Sequence, residues 1–441
     1  MNQFSQPDLD HLEAKPDGTI KQRNPFTGTQ VRTVPGRSDR PLVEPPADTK
    51  DLAPTQFTSE CAFCSDRYLE TPPEKVRIVR HPKWRPINQV PAEHLHDTLA
   101  EFRLVPNLYA IVGFGYWRDN YGYQLTTEAQ AHKQAYLLTD QGRRQVINVL
   151  KPKAEATGKA DKKPAIVDEK NVLDRVDGFF GGGHDLVVAR RHFVDGAKTT
   201  DQLASAGTLT LDEHEQYIHF TVQATANLYQ ANPYVRYVVV FQNWLKRAGA
   251  SFDHLHKQLV AIDEHGANVD LAKERVIQEP NVFNDCGVNY AIANRLLIAE
   301  NDSAIAFAGF GHRYPTVEVY SKSQHLRPWE HSAAEVRDMS DLLHAIHAAT
   351  GSNVPCNEEW HYAPMDVSAP MPWRINLKWR ISTMAGFEGA TKIYTNTLSP
   401  QDLRKRVIKR LKTLRQQGDI ADLVIGKKCS TTLNPLRYNS A

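Results

Sequence analysis

The chain has 441 residues, of which 41% are hydrophobic and 24% are charged, with a formal net charge of +2 at pH 7. This balance argues against a protein that mainly coats nucleic acid, and no apolar run approaches the ~18 residues of a membrane span. The length predicts two lobes rather than one compact core. The chain has five cysteines, which do not form a disulfide framework. The first residues lack the apolar core of a signal peptide, so we expect the cytoplasm.

The N-terminal third contains one chemical motif and one unusual segment. Residues 1–20 are polar and are expected to be loose. Cys61-Ala62-Phe63-Cys64 offers two thiolates from one tight turn, the usual half of a zinc site, although Cys-x-x-Cys also serves redox chemistry. The segment 114–180 is expected to be an irregular insertion. Its part Lys151–Lys170 is poor in large apolar residues and predicts a surface or mobile loop.

The middle of the chain predicts a strand, a helix and two more strands. Asp185–Ala189 is strand-like and His192 follows it shortly. Thr210-Leu211-Asp212-Glu213 is a capping box that opens a long helix, which should end near Asn232-Pro233. The next strand is predicted over Val235–Phe241.

A histidine pair stands in Ser251-Phe252-Asp253-His254-Leu255-His256-Lys257-Gln258. The apolar run behind it predicts that both histidines enter a strand, where residues two apart project to one face. Two adjacent imidazoles suit chemistry that needs one metal ligand and one free nitrogen nucleophile. Ordinary packing is the alternative interpretation of His-x-His.

The second half repeats this order of elements with weak residue identity. Pro315–Tyr320 is strand-like, His325 follows, and Ser332-Ala333-Ala334-Glu335 caps a helix that should end near Gly351. The strand Trp373–Arg380 then stands where the first half has its histidine pair.

A last helix begins at Ser399 and has one apolar stripe and one basic face. The basic face is compatible with RNA or an anionic membrane. A basic outer face on a docked amphipathic helix is the commoner case, so we predict no nucleic-acid or membrane partner.

The ordered set of motifs resembles the galactose-1-phosphate uridylyltransferases and their relatives in the histidine-triad superfamily. It comprises Asn24-Pro25-Phe26-Thr27-Gly28, Pro35 to Pro41, the Cys61/Cys64 motif, Val105 to Ala110, Gly183 to His192, Asn243 to Gln258, and Ala385 to Asn396. The set runs through most of the chain and is more specific than any single motif.

The resemblance implies an α+β fold of two histidine-triad-like lobes, each an antiparallel β-sheet flanked by helices. We expect a catalytic lobe over 21–280, a second lobe over 281–420 and a tail over 421–441. It also implies a homodimer, in which the loop Gly386–Thr391 serves the neighbour's site.

The chemistry implied is a double displacement through a nucleotidyl group held on His256, with Gln258 donating to the phosphoryl oxygens. Nucleotide and phosphate contacts are carried over to Arg37, Arg40, Asn107, Asn243, Gly249 and Ser251. Zinc is assigned to Cys61, Cys64, His192 and His254. This filled tetrahedron leaves no position for an activated water, so the zinc is read as structural.

Three positions depart from the family pattern. Leu255 replaces a usual proline, and Lys257 replaces a usually small residue. Lys257 either adds a phosphate contact or points outward, and we expect it to point outward. The strand Arg374–Lys378 lacks the histidine pair that builds a second metal site in some relatives, although His361 remains. We therefore expect no second metal.

Three functions stay open. The first is transfer of UMP between a UDP-hexose and a hexose 1-phosphate, with a nucleotide sugar and a sugar 1-phosphate as partners. The second is a phosphorylase or adenylyltransferase acting on ADP-sugars or dinucleoside polyphosphates. The third is a non-catalytic nucleotide-binding protein, against which the presence of both His256 and Gln258 speaks.

Overall fold

The computed structural model describes residues 11–35, 49–160 and 175–439, and of residues 152–160 the backbone alone. The strands are β1 (Leu12–Ala14), β2 (Ile20–Arg23), β3 (Gln30–Thr33), β4 (Val76–Val79), β5 (Arg85–Asn88), β6 (Phe102–Pro106), β7 (His184–Ala189), β8 (Tyr237–Trp244), β9 (His256–Ile262), β10 (Leu297–Glu300), β11 (Ala304–Ala308), β12 (Thr316–Ser321), β13 (Cys356–His361), β14 (Arg374–Trp379), β15 (Ile393–Asn396) and β16 (Val424–Ile425). The α-helices are α1 (Gln56–Ser59), α2 (Phe114–Tyr121), α3 (Thr127–Leu138), α4 (Asp140–Ala160), α5 (Asp177–Gly181), α6 (Leu211–Ala231), α7 (Ala267–Gln278), α8 (Tyr290–Ala293), α9 (Ala333–Thr350), α10 (Gly386–Thr391) and α11 (Pro400–Gln417).

One twelve-stranded sheet joins the two lobes. Its order is β16-β10-β11-β12-β14-β13-β8-β9-β7-β6-β4-β5, and its paired strands run antiparallel. The order is mirrored about the β8–β13 pair, so that β9 corresponds to β14 and β7 to β12. The predicted α+β fold with antiparallel sheets is confirmed, and the two lobe sheets meet edge to edge as one surface.

The two long helices of the repeat begin where their capping boxes predict. The Thr210 hydroxyl accepts from the Glu213 amide, and Ser332 does the same for Glu335. Helices α6 and α9 contact each other and bury Tyr217, Leu343 and Ile346. The observed strands β7, β8, β12 and β14 lie within a few residues of the predicted ones.

The prediction that Lys257 points outward is wrong. Its side chain is fully buried on the sheet face that α6 and α9 cover, and its Nζ lies 2.6 Å from Oε1 of Glu358 on β13. The same ammonium lies 4.8 Å from the centre of the Tyr217 ring. Strand alternation explains the direction, because His256 and Gln258 on either side of Lys257 must then face the opposite way.

The described part of the segment 114–180 is mostly helical rather than irregular, with non-helical residues at 122–126, 139 and 175–176. Helices α3, α4 and α5 bury a small apolar cluster that includes Tyr136, Val146, Val149 and Phe180. The predicted loop Lys151–Lys170 begins inside α4, and its residues 161–170 lie outside the described residues. Sparse apolar residues at helical spacing are enough here because α4 packs on α3 and on the short 3-10 helices at 65–70 and 92–94.

The prediction of a loose N-terminus is wrong for its described part. Strands β1 to β3 form a four-stranded sheet with β15, which pairs parallel to β3. Leu12 on β1 is buried, whereas residues 1–10 lie outside the described residues. The 421–439 tail also docks, since β16 pairs with β10.

Helix α11 has the amphipathic form that its sequence predicts. Leu403, Val407 and Leu411 are buried, while Lys405 and Lys409 are exposed. Within the described ranges, no helix combines the length and the apolar character that crossing a membrane requires.

Candidate functional site

Four buried side chains converge at the end of the first lobe's sheet. The sulfurs of Cys61 and Cys64 lie 3.8 Å apart, and Nδ1 of His192 and His254 lie 3.4 to 3.8 Å from them. A zinc tetrahedron with bonds of about 2.3 Å to sulfur and about 2.0–2.1 Å to nitrogen has sulfur–sulfur edges of about 3.8 Å and sulfur–nitrogen edges of about 3.5 Å. The four ligand atoms therefore fit one tetrahedral metal ion.

The protonation states of this cluster suit a metal. Nε2 of His254 lies 2.7 Å from the carbonyl oxygen of Ala189, which can only accept, so Nε2 carries the proton and Nδ1 offers its lone pair. Burial lowers the pKa of His254 and keeps the ring neutral. The sulfur contact with Cys61 and the two imidazoles lower the pKa of Cys64, which favours its thiolate.

His256 opens β9, and His254 lies in the bend just before it rather than on the strand. Nδ1 of His256 lies 2.7 Å from the carbonyl oxygen of His254. Since that oxygen only accepts, Nδ1 carries the ring proton and Nε2 keeps the lone pair. Burial lowers the pKa of His256 to about 4, so the imidazole is neutral near pH 7. A neutral imidazole with a fixed tautomer is a competent nucleophile.

His184 is a site residue that the sequence reasoning missed. Its Nδ1 accepts from the Ile111 amide at 3.1 Å, so its Nε2 carries the proton and donates to Oε1 of Gln258 at 3.1 Å. This contact leaves the amide nitrogen of Gln258 as the group that donates to a ligand. Burial lowers the pKa of His184. In the sequence, Gly183-His184-Asp185 indicates only the start of a strand that leads to His192, and nothing local in it signals this role.

Asn107 lines a cavity of about 300 Å³. Its amide oxygen accepts from the Tyr109 amide at 2.9 Å. Its amide nitrogen lies 3.0 Å from Nε2 of His184, and because both atoms carry protons this contact is not a hydrogen bond. Residues of the helical insertion also line this cavity, among them Arg118 and Asp177. The insertion thus lines a pocket that reaches the Gln258 side of the sheet.

Asn243 and Gly249 lie on either side of a tight turn after β8. Asn243 is two residues beyond Phe241, which pairs with Gln258, so Asn243 shares the sheet face of Gln258 and His256. Gly249 has φ +93°, a conformation that L side chains rarely adopt. Ser251 follows and is exposed.

Two predicted phosphate ligands, Arg37 and Arg40, lie outside the described residues. In the second lobe, Nε2 of His361 lies 3.4 Å from the amide nitrogen of Asn376. Over residues 11–35, 49–160 and 175–439, the Cys61/Cys64/His192/His254 group is the one cluster of three or more ligand side chains close enough to share a metal.

The fold places the chain in a structural class. It matches the structure of an ADP-glucose phosphorylase from Arabidopsis thaliana with bound ADP-glucose, with a TM-score of 0.57, 18% identity, and coverage of 89% of this chain and 98% of that one. A galactose-1-phosphate-uridylyltransferase-like protein from the same plant matches with a TM-score of 0.56 and the same identity and coverage. The chain therefore has the fold of these two proteins.

Residues 15–438 match the model of the family described as Domain of unknown function (DUF4921), and the chain belongs to that family. Two curated proteins are similar to part of the chain. Galactose-1-phosphate uridylyltransferase from Thermotoga maritima is 23% identical over 230 residues, which are 47% of this chain and 71% of that protein. ADP-glucose phosphorylase from Arabidopsis thaliana is 24% identical over 179 residues, which are 39% of this chain and 51% of that protein.

Proposed function

We propose that the protein is a nucleotidyltransferase that moves UMP between a UDP-hexose and a hexose 1-phosphate through a covalent intermediate on His256. The observation that carries the proposal is the fixed tautomer of His256, whose Nδ1–H is held by the His254 carbonyl at 2.7 Å. Its Nε2 lone pair lies on the same sheet face as Gln258 and Asn243. A nucleophile and two amide donors on one face suit attack at a phosphorus atom.

The first step forms a bond between Nε2 of His256 and the α-phosphorus. The bond from that phosphorus to the bridging oxygen breaks, and the hexose 1-phosphate leaves with the electron pair. The positive charge on the imidazole is stabilised by the Nδ1–H···O contact to His254. In the second step a phosphate oxygen of the acceptor attacks the same phosphorus, and the phosphorus–nitrogen bond breaks to restore neutral His256.

Gln258 donates to the phosphoryl oxygens in this scheme, because His184 holds its amide oxygen. Asn107 and the insertion-lined cavity receive the nucleoside side, and Gly249 and Ser251 approach the second phosphate. Arg37 and Arg40 remain proposed phosphate ligands. We also propose a homodimer with α10 near the neighbour's site.

We further propose that the metal held by the cluster is zinc. Cys61, Cys64, His192 and His254 supply two thiolates and two neutral imidazoles, the soft ligand set that zinc prefers. All four positions of the tetrahedron are filled by protein, so the ion would fix the bend before β9 rather than bind substrate.

Phosphorolysis or adenylyl transfer on an ADP-sugar is the second candidate. It is favoured by the match to the ADP-glucose phosphorylase structure, which extends over 98% of that chain and includes both lobes here. The two candidates share the His256 chemistry and differ in base and acceptor.

Intact-protein mass spectrometry after brief incubation with UDP-glucose, and separately with ADP-glucose, tests the proposal. We expect a gain of one nucleoside monophosphate in the wild type, absent from His256→Gly, and the added mass identifies the base. His219→Gly is the matched control for histidine loss. It should keep the adduct, because His219 lies on α6, which covers the sheet face opposite to that of His256. An adduct that persists in His256→Gly, or none from either donor, would contradict the proposed intermediate.

A further inference from the structure

Two side chains of the second lobe, Asn357 and Arg380, lie next to the turn that follows β8 in the first lobe and contains Gly249. Asn357 on β13 pairs opposite Asn243 on β8, and both lie on the sheet face of His256. Arg380 directly follows β14 and contacts Asn357. We propose that Asn357 and Arg380 are positioning residues that turn the amide nitrogen of Asn243 toward the nucleotide phosphate; this rests on the proposed function.

The orientation of each amide follows from a residue that can only donate. Nη1 of Arg380 lies 2.6 Å from Oδ1 of Asn357, and a guanidinium has no acceptor atom. The atom of Asn357 that faces Arg380 is therefore its oxygen. Its nitrogen must lie on the other side, where it donates to Oδ1 of Asn243 at 2.7 Å and to the carbonyl oxygen of Ala248 at 2.9 Å.

This chain of contacts sets the polarity of Asn243. Its oxygen is used as the acceptor for Asn357, so its nitrogen is directed to the opposite side, toward Gly249. A Cβ placed on Gly249 would lie 3.7 Å from that nitrogen. Phosphate oxygens accept hydrogen bonds, so this polarity presents the group that a phosphate needs.

Asn357 also stabilises the turn through its hydrogen bond to Ala248. The carbonyl oxygen of Ala248 ends the short 3-10 helix Lys246–Ala248, just before Gly249. Asn357 is buried, with 8% of its surface exposed, whereas Asn243 is only half-buried and accessible to a ligand. Asn357 therefore acts on the ligand through Asn243 and the turn, without touching it.

Substitution by aspartate separates positioning from packing. Asn357→Asp keeps the shape of the side chain, but both of its oxygens accept. One oxygen stays on Arg380, and the other attracts the nitrogen of Asn243, which then presents its oxygen to the phosphate. Asn357→Ala removes the hydrogen bonds to Asn243 and Ala248 but does not turn the amide of Asn243 round. A positioning role predicts that Asn357→Asp weakens nucleotide-sugar binding more than Asn357→Ala does. A packing role predicts that Asn357→Ala weakens it more.

The measurement is calorimetric titration of UDP-glucose and ADP-glucose into full-length protein carrying His256→Gly, so that no covalent adduct forms. We expect the better ligand to bind about fivefold more weakly to Asn357→Ala and on the order of fiftyfold more weakly to Asn357→Asp. With Asn243→Ala also present, the effect of Asn357→Asp should shrink to less than about threefold. If Asn357→Asp binds as well as Asn357→Ala, or if its loss persists without Asn243, the positioning role is overturned.

Arg380 gives a second test that does not depend on the folding of the Asn357 variants. Arg380→Lys keeps a donor and should bind within about threefold of the parent, while Arg380→Met should lose about tenfold. Equal binding by both variants would overturn the proposal. The adduct assay on the wild type separates the two proposals. If Asn357→Asp binds more weakly than Asn357→Ala but the wild type forms no adduct, only the transfer chemistry is refuted. If the wild type forms an adduct but Asn357→Ala binds more weakly than Asn357→Asp, only the positioning role is refuted.

Discussion

Lys257 and Glu358 form an ion pair with no solvent access, and its removal has a defined cost. Both side chains are 0% exposed, with Nζ and Oε1 2.6 Å apart. Burial alone would raise the pKa of Glu358, yet Lys257 and His347 lower it to about 2. Lys257→Met leaves the carboxylate with the His347 and Trp360 N–H groups at 2.7 and 2.5 Å but without its cation. We expect a loss of about 3–5 kcal/mol in the free energy of unfolding.

The matched double variant decides whether this cost comes from the unpaired charge. Lys257→Met with Glu358→Gln removes both charges and keeps the volume, so its loss should be only about 0–1.5 kcal/mol. Denaturant unfolding followed by tryptophan fluorescence measures both, and Lys409→Met on the exposed face of α11 should change stability by less than about 0.5 kcal/mol. A loss below about 1 kcal/mol for Lys257→Met, or a double variant as unstable as the single one, would refute the reasoning.

Two further predictions concern a second buried charge and the metal cluster. Burial raises the pKa of Asp341 to about 6, so its carboxylate destabilises the fold above that pH. Asp341→Asn should therefore stabilise the protein at pH 8 by on the order of 1–3 kcal/mol, and the gain should vanish as the pH falls toward about 3, where the carboxyl is protonated in both the folded and the unfolded state. A gain that does not change with pH in thermal melts would exclude this cause. Cys64→Ser should retain less than about a tenth of the wild-type metal by elemental mass spectrometry, whereas Cys286→Ser, outside the cluster, should retain it all; equal metal in both would contradict the assignment.

Sequence reasoning predicted the features whose signals are local. The Thr210 and Ser332 caps each depend on a residue three positions away, and both are observed. The metal cluster was found because Cys-x-x-Cys and the histidine before β9 are recognisable motifs in a known order. The strands of the repeat follow from short runs of apolar, β-branched residues.

The missed features depend on distant partners. Gln258 and His184 are 74 residues apart, and Lys257 and Glu358 are 101 apart. No pattern within one strand states which strand will lie beside it, so the joining of β8 to β13 was also missed. The insertion was misread for a different reason. Its charged composition outweighed an apolar stripe of only a few residues, such as Val146 and Val149, which suffices for helices that pack on each other.

The second lobe bears on the choice between an enzyme and a passive nucleotide binder. The altered residues Leu255 and Lys257 beside His256 and the missing histidine pair of the second lobe are the sequence features that make a non-catalytic protein a candidate. Yet two adjacent residues of β13 point to opposite faces of the shared sheet and both reach the first lobe: Asn357 contacts Asn243, and Glu358 pairs with Lys257. The strand that carries His256 is thereby held from both faces. A protein that only binds nucleotides needs a pocket, but it does not need an imidazole in a fixed tautomer on a strand with contacts on both faces of the sheet. The arrangement therefore favours transfer over simple binding.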